Sequence, residues 1–169
     1  IFAQENEMSL KNILKAHSIY AKSFMSRRDE VGKLRKGMVG IRSGGQLIYL
    51  AIEPEFLKKE LAIFFKEVEF LIQEKLSIEE IFYFASMIHL RFVNIHPFAD
   101  GNGRATRLLE KWFLATMLGE KAWNIESEKN YFLNRNNYYK NLQLGGNYYV
   151  LNYNLSLPVL LLLPNSLVQ

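Results

Sequence analysis

Twelve consecutive residues, His96 to Arg107, gather a potential base, a carboxylate, two glycines around an asparagine and two arginines. Those types suit binding a polyanion beside a proton acceptor. Pro97 disfavours right-handed helical geometry at His96, so a preceding helix is expected to end by Ile95. Beyond Gly103, Ala105, Leu108, Leu109, Trp112 and Phe113 fall at helical spacing, so a new helix is expected to begin near Arg104. The stretch reads as a loop feeding a helix N-terminus, where unpaired N–H groups and the helix dipole favour an anion. The first turn of a helix ordinarily prefers Asp or Glu. Here it offers Arg104 and Arg107, three residues apart on one face. Two cations at a positive helix end make sense if a polyanion lies over them, and a local rule broken without compensation is where function is sought. Gly101 and Gly103 permit close approach of a ligand, and the N–H groups around Asn102 can form an anion nest.

His96-Pro97-Phe98-Ala99-Asp100-Gly101-Asn102-Gly103-Arg104-Ala105-Thr106-Arg107 resembles the signature of the Fic (filamentation induced by cAMP) family, H-P-F-x-[DE]-G-N-G-R-x-x-R, and meets it at every fixed position. The resemblance implies a protein adenylyltransferase (AMPylase), which moves AMP from ATP to a Ser, Thr or Tyr hydroxyl of a target protein. It implies His96 as the general base, a role open to an imidazole that titrates near neutral pH. It implies Asp100 as the Mg²⁺ ligand, against its plain alternative as a loop or cap residue. Gly101, Asn102 and Gly103 are then expected to line the phosphate cradle, with Arg104 and Arg107 neutralising it as fork-shaped donors. Phe98 is expected to anchor the loop to the core.

Two other functions stand beside this one. The same fold transfers UMP, phosphocholine or a phosphoryl group in known relatives; the kinase-like ones carry lysine after G-N-G, so Arg104 favours AMP transfer. A non-catalytic, nucleotide-responsive interaction module is the third reading, against which an intact His96 argues. Many Fic proteins also carry an inhibitory [S/T]-x-x-x-E-[G/N] segment that pairs with the second motif arginine, here Arg107. None is visible: no acidic residue follows Glu128, and no Ser or Thr precedes Ser9. Inhibition is expected from an upstream segment, from a small antitoxin-like partner, or not at all.

The elements that must position this stretch read mainly α. Leu10, Ile13, Leu14, His17, Tyr20, Ala21 and Phe24 mark one face of a first helix. His17 and, further on, His89 lie on apolar stripes and are read as buried core histidines. Arg27, Arg28, Lys33, Arg35 and Lys36 form a basic patch read as a solvated loop face, since no nucleic-acid motif accompanies it. Met38–Arg42 and Leu47–Ile52 are β-prone runs around Ser43-Gly44-Gly45-Gln46, a hairpin signal. Its place two helices ahead of the motif matches the family's flap, which clamps a target segment by strand addition. The resemblance therefore makes Ile41, Arg42, Leu47, Ile48 and Tyr49 candidate target contacts.

Pro54 begins a second helix, Ser77 with Glu80 caps a third, a fourth ends at Gly119, and a fifth is expected from Ser127 to about Leu144. Tyr138 and Tyr139 are read as core packing, with a ring in the nucleobase pocket as the alternative. From Asn147 the tail is rich in Asn, Tyr and Leu; Val159 to Leu163 is expected to dock on the core or on a neighbouring chain.

With 169 residues, 49% hydrophobic, a charge of +4 and no cysteine, the chain is expected to be one Fic-type helical bundle with a small β-hairpin flap. Its core would span about residues 9–146, with 147–169 unassigned. The charge is a mild bias. The missing cysteines exclude disulfides and thiolate metal sites and fit a reducing compartment. The chain starts at Ile1, so an upstream segment is expected to be missing. No signal peptide or membrane-length apolar run is seen. Neither nucleic acid nor membrane is an expected partner; the setting is cytoplasmic, or another cell's cytosol after delivery.

Overall fold

The computed structural model describes residues 2–167. Helix α1 (Leu10–Tyr20) starts at Ser9, whose side chain accepts the Asn12 N–H, and its last turn tightens into a 3₁₀ turn over Ala21–Ser23. Strands β1 (Gly40–Ser43) and β2 (Gln46–Leu50) form an antiparallel hairpin. Its turn uses Gly44 and Gly45, with φ of 55° and 83°, the positive angles that two-residue hairpin loops demand. A register shift between Ile41 and Arg42 leaves Ile48 without a partner opposite: Ile41 faces Tyr49 and Arg42 faces Leu47.

Pro54–Phe56 forms a 3₁₀ turn leading into α2 (Leu57–Gln73). The capping box expected at Ser77 and Glu80 is present at the start of α3 (Ile78–Ile95). Helix α4 (Asn102–Leu118) begins two residues earlier than its apolar spacing suggests, because Gly101 supplies the turn into it. Helices α3 and α4 make the most extensive contact between elements. The main core lies between α1 to α4, with Phe64, Phe92, Phe98, Trp112 and Phe113 among its fully buried side chains.

The expected fifth helix is two helices, α5 (Ser127–Leu133) and α6 (Arg135–Leu142). Asn134 leaves helical geometry (φ −102°, ψ 27°). Its side-chain amide donates to both the carbonyl and the side chain of Asn130, at 3.1 and 2.7 Å. Asparagine side chains compete with helical backbone bonding in this way, which periodicity cannot reveal.

The tail folds back through 3₁₀ turns at Tyr148–Val150 and Tyr153–Leu155 and a single turn, α7 (Leu157–Leu160). It docks on the chain's own core. Val159 and Leu162 join Leu90, Tyr131, Tyr138 and Leu144 in a second apolar cluster, while Leu163 enters the main one. Among the described residues, no helix is long and apolar enough to cross a membrane.

Candidate functional site

The loop between α3 and α4 is held from three directions. His96 ends α3 in the left-handed region (φ 53°, ψ 58°) and is the one non-glycine residue with positive φ among those described. Such a conformation costs on the order of 1–2 kcal/mol and persists where the surroundings over-determine it. Pro97 thus removes His96 from the right-handed helix as its sequence implies, into a tighter turn than an extended one.

The restraint comes from Arg35. Its backbone N–H donates to the Pro97 carbonyl at 2.9 Å, and its Nε donates to the His96 carbonyl at 2.7 Å. Nη1 and Nη2 donate to the carbonyls of Gly37 (2.8 Å) and Ile52 (2.5 Å), on either side of the hairpin. Arg35 is only 4% exposed, which corrects its reading as part of a solvated basic face. Its guanidinium is desolvated but satisfied by main-chain carbonyls.

From the α1 side, His17 is fully buried and stacks on Phe98, with ring centroids 3.9 Å apart. Its Nδ1 accepts the Gly32 N–H at 2.9 Å, so Nε2 carries the proton and donates to the Asp100 carbonyl at 3.0 Å. One turn on, the Tyr20 hydroxyl donates to the Gly101 carbonyl at 3.1 Å. The core reading of His17 holds, with a positioning role added. Its polar atoms on the α1 stripe, three residues from those of Tyr20, were the available signal; Arg35 gave none.

The third restraint is internal. The Asn102 side chain accepts the Phe98 N–H at 2.9 Å and donates to the Phe98 carbonyl at 2.8 Å, closing the loop on itself. Asn102 therefore faces the cavity through its main chain. Gly101 has φ 82°, and a Cβ there would meet Phe24, His17 and Tyr20 at 3.1–3.4 Å.

Above this loop opens a cavity of about 930 Å³ lined by His96, Asp100, Gly101, Gly103, Arg104 and Arg107. Its size is that of a small-molecule site. The far wall comes from α6, through Asn136, Tyr138, Tyr139 and Lys140; of these the sequence offered only the two tyrosines, as the alternative to core packing. Tyr138 packs in the core as expected. Tyr139 does not: it is 57% exposed at the cavity edge.

His96 donates Nδ1–H to the Val93 carbonyl at 3.0 Å, which leaves Nε2 as the acceptor. Burial lowers its proton affinity and the Arg35 charge adds to that, against the Val93 hydrogen bond and Asp100. The imidazole is thus favoured in its neutral form, with Nε2 free to accept a proton.

Asp100 is exposed, and its Oδ1 accepts the Gly101 N–H at 2.6 Å. A single accessible carboxylate at this cavity fits Mg²⁺, which commonly takes one or two carboxylates and fills its remaining positions with phosphate and water. Among the described residues no cluster of three or more His, Cys, Asp or Glu could hold a metal. Arg104 lies over the Phe24 ring at 3.9 Å, and both Arg104 and Arg107 line the one opening. The first intrahelical bond of α4 is Ala105 N–H to the Gly101 carbonyl, at 3.1 Å. The N–H groups of Asn102, Gly103 and Arg104 precede it at the positive helix end.

The hairpin forms another wall through Ile41, Arg42, Ser43, Ile48 and Tyr49. Ile41 and Leu47 are exposed, and Arg42 donates to the Gly45 carbonyl at 3.0 Å. Tyr49 is buried, its hydroxyl donating to the Asn94 carbonyl at 2.6 Å, so its ring roots the hairpin on α3. His89 is buried, as expected of a core histidine.

The sequence profile of the Fic/DOC family matches residues 7–114. The Protein adenylyltransferase fic-1 of Caenorhabditis briggsae is 30% identical over 108 residues, which are 63% of this chain and 19% of that protein. A Uridine 5'-monophosphate transferase of Xanthomonas campestris pv. campestris is 36% identical over 88 residues, 49% of this chain and 16% of that protein. The chain thus spans under a fifth of the length of these curated relatives. A Fic family protein from Desulfovibrio desulfuricans G20 has the same fold, with a TM-score of 0.71 at 24% identity over 98% of this chain and 50% of that one. A Fic domain containing signaling protein from Bacteroides thetaiotaomicron VPI-5482 aligns with a TM-score of 0.69 at 21% identity, over 99% of this chain and 63% of that one. With its fold, its motif and a profile match over more than half its length, the chain belongs to the Fic/DOC family.

Proposed function

We propose that this chain transfers AMP from ATP to a hydroxyl side chain of a target protein. One observation carries the reading: the His96 tautomer, fixed by Val93, turns an unprotonated Nε2 to the cavity where Arg104, Arg107 and the start of α4 converge. Nε2 takes the proton of the target hydroxyl as its oxygen attacks the α-phosphorus. The bond to the β-phosphate breaks and pyrophosphate leaves. Arg104, Arg107 and the N–H groups of Asn102 and Gly103 hold the triphosphate, and such charge stabilisation is often the largest catalytic contribution. Asp100 would hold Mg²⁺, which neutralises phosphate charge when bound.

Ile41, Arg42, Leu47 and Ile48 would hold an extended target segment by strand addition along the hairpin, with Tyr49 contributing main chain alone. A small inhibitory protein is the kind of partner that would restrain Arg107.

A second reading, UMP transfer, is favoured by the 36% identity to the uridine monophosphate transferase. Incubation in a native lysate with α-³²P-ATP, γ-³²P-ATP and α-³²P-UTP tests both. Protein-bound label from α-³²P-ATP alone is expected. Label from α-³²P-UTP alone supports the second reading, and γ-³²P label overturns both in favour of phosphorylation.

A further inference from the structure

Formal charge is unevenly placed on this chain. Its 21 Lys and Arg stand against 17 Asp and Glu. Five of the cations, Arg42, Arg104, Arg107, Arg135 and Lys140, line the cavity, with Asp100 as the one acid among the described residues there. Sixteen of each sign remain elsewhere, so the cavity wall holds the whole net charge of +4. Among the described residues none of the five makes an ion pair, whereas Arg27, Arg91, Lys111 and Lys129, outside the cavity, do.

The five fall into two sets. Arg104 and Arg107 sit in the first two turns of α4, in the motif that also carries His96. Under the proposed function the triphosphate lies there, with Mg²⁺ neutralising part of its charge and the positive helix end adding to the two guanidiniums. Arg42 lies on β1, and Arg135 and Lys140 lie on α6, two other walls of the same cavity. All three are exposed. Two of them have local supports: Arg42 donates to the Gly45 carbonyl at 3.0 Å, and the Arg135 guanidinium lies 5.7 Å from the centre of the Tyr139 ring. Neither the hairpin nor α6 contains an acidic residue, and none follows Glu128 in the chain. A nucleotide's charge is confined to its phosphates, which the motif loop would hold. Three cations on other walls therefore point to a second anionic ligand.

We infer that Arg42, Arg135 and Lys140 select the protein acceptor, and that the hydroxyl it offers is flanked by acidic residues. A rim of one sign steers the opposite sign toward it and suppresses wrong partners. Carboxylates of the acceptor take the place of water at the three cations as the hydroxyl reaches His96 Nε2. Ile41 and Tyr139, exposed on the same two walls, offer the segment apolar contact. This rests on reading the cavity as a site of transfer to protein.

The test uses fluorescent peptides with a central Ser-Thr-Tyr, flanked on both sides by Glu, by Gln or by Lys. Affinity is read by polarisation with Mg²⁺ and a non-transferable ATP analogue bound. The Glu peptide is expected to bind about tenfold more tightly than the Gln peptide, and the Lys peptide more weakly than either. The preference is expected to shrink as salt is raised. In the double variant Arg135→Glu, Lys140→Glu, at exposed sites that spare the fold, the order is expected to invert while affinity for the ATP analogue stays within about twofold. Equal affinity for the three peptides, or binding of none, overturns the acidic-acceptor assignment. So does an ATP-analogue affinity that falls as far as the peptide affinity, which would give these cations to the nucleotide. A mixed-sequence RNA that binds more tightly than the Glu peptide also overturns it, in favour of nucleic acid. If lysate proteins take label from α-³²P-ATP while the peptides show no order, the transfer reading stands and the acidic acceptor alone falls. If no lysate protein is labelled, the transfer reading falls and takes the acidic acceptor with it.

Discussion

The motif loop and the hairpin face each other across one cavity and are built on opposite plans. In the loop, the carbonyls of His96, Pro97, Phe98, Asp100 and Gly101 are all taken by groups from Arg35, Asn102, His17 and Tyr20. In the hairpin, every residue of β1 is exposed, and the strands are held through β2 alone, by the buried Tyr49 ring, by Leu50 N–H donating to the Gly146 carbonyl and by the Gln143 side chain donating to the Ile48 carbonyl. Under the proposed function, the loop must place an imidazole and phosphate donors to within fractions of an ångström, whereas the hairpin must accept a protein segment of varied sequence. Dense side-chain-to-backbone bonding suits the first task; free edge groups suit the second.

The contrast makes graded predictions. The largest effect falls on the loop's chemistry. His96→Ala is expected to lower transfer by about 10²–10⁴-fold without loss of fold, measured as label incorporated from α-³²P-ATP. Retained transfer would remove His96 from the base role.

Next is the loop's support. His17→Ala leaves the Gly32 N–H and the Asp100 carbonyl unpaired beside a cavity and is expected to cost about 2–4 kcal/mol in denaturant unfolding. A cost under about 1 kcal/mol would show the loop to be held well enough without α1.

Acid should find the same weakness. Burial, the largest cause for both, holds His17 and His96 below the ordinary histidine value of 6.5. An unfolded chain keeps that ordinary value, so just below pH 6.5 it binds more protons than the folded one. Stability from these two groups is therefore complete above that pH and declines as pH falls toward the folded-state values. Thermal melts across this range check the sign, and the contribution should shrink in His17→Ala.

The smallest effect belongs to the hairpin. Leu47→Ala is expected to change stability by less than about 0.5 kcal/mol while raising KM for the target protein and sparing KM for ATP. A stability loss as large as that of His17→Ala would erase the contrast between the two walls.

Much of this was legible from local pattern. The motif, the Gly44-Gly45 turn, the Ser77–Glu80 cap and the helix stop at Ile95 each depend on neighbours within four residues. The rest depends on distance along the chain. His17 meets Asp100 across 83 residues and Arg35 meets His96 across 61, and nothing near Arg35 distinguishes it from the solvated cations around it. The break at Asn134 was hidden because its cause is side-chain competition rather than hydrophobic period. The wall formed by α6 was read only as the less favoured alternative for its tyrosines, because Tyr138 and Tyr139 are neighbours with different exposure, one buried and one open, though both line the cavity.

Ile48, the residue that β1 leaves unmatched, gives the hairpin a slip joint. Inside it, Ile41 and Tyr49 keep their pairing to the root on α3; outside it, Arg42, Ser43, Gln46 and Leu47 count on their own. The tip can therefore trade residues, or gain a pair, without dragging Tyr49 off Asn94. A change of client protein could be met there while the chemistry beneath stays untouched.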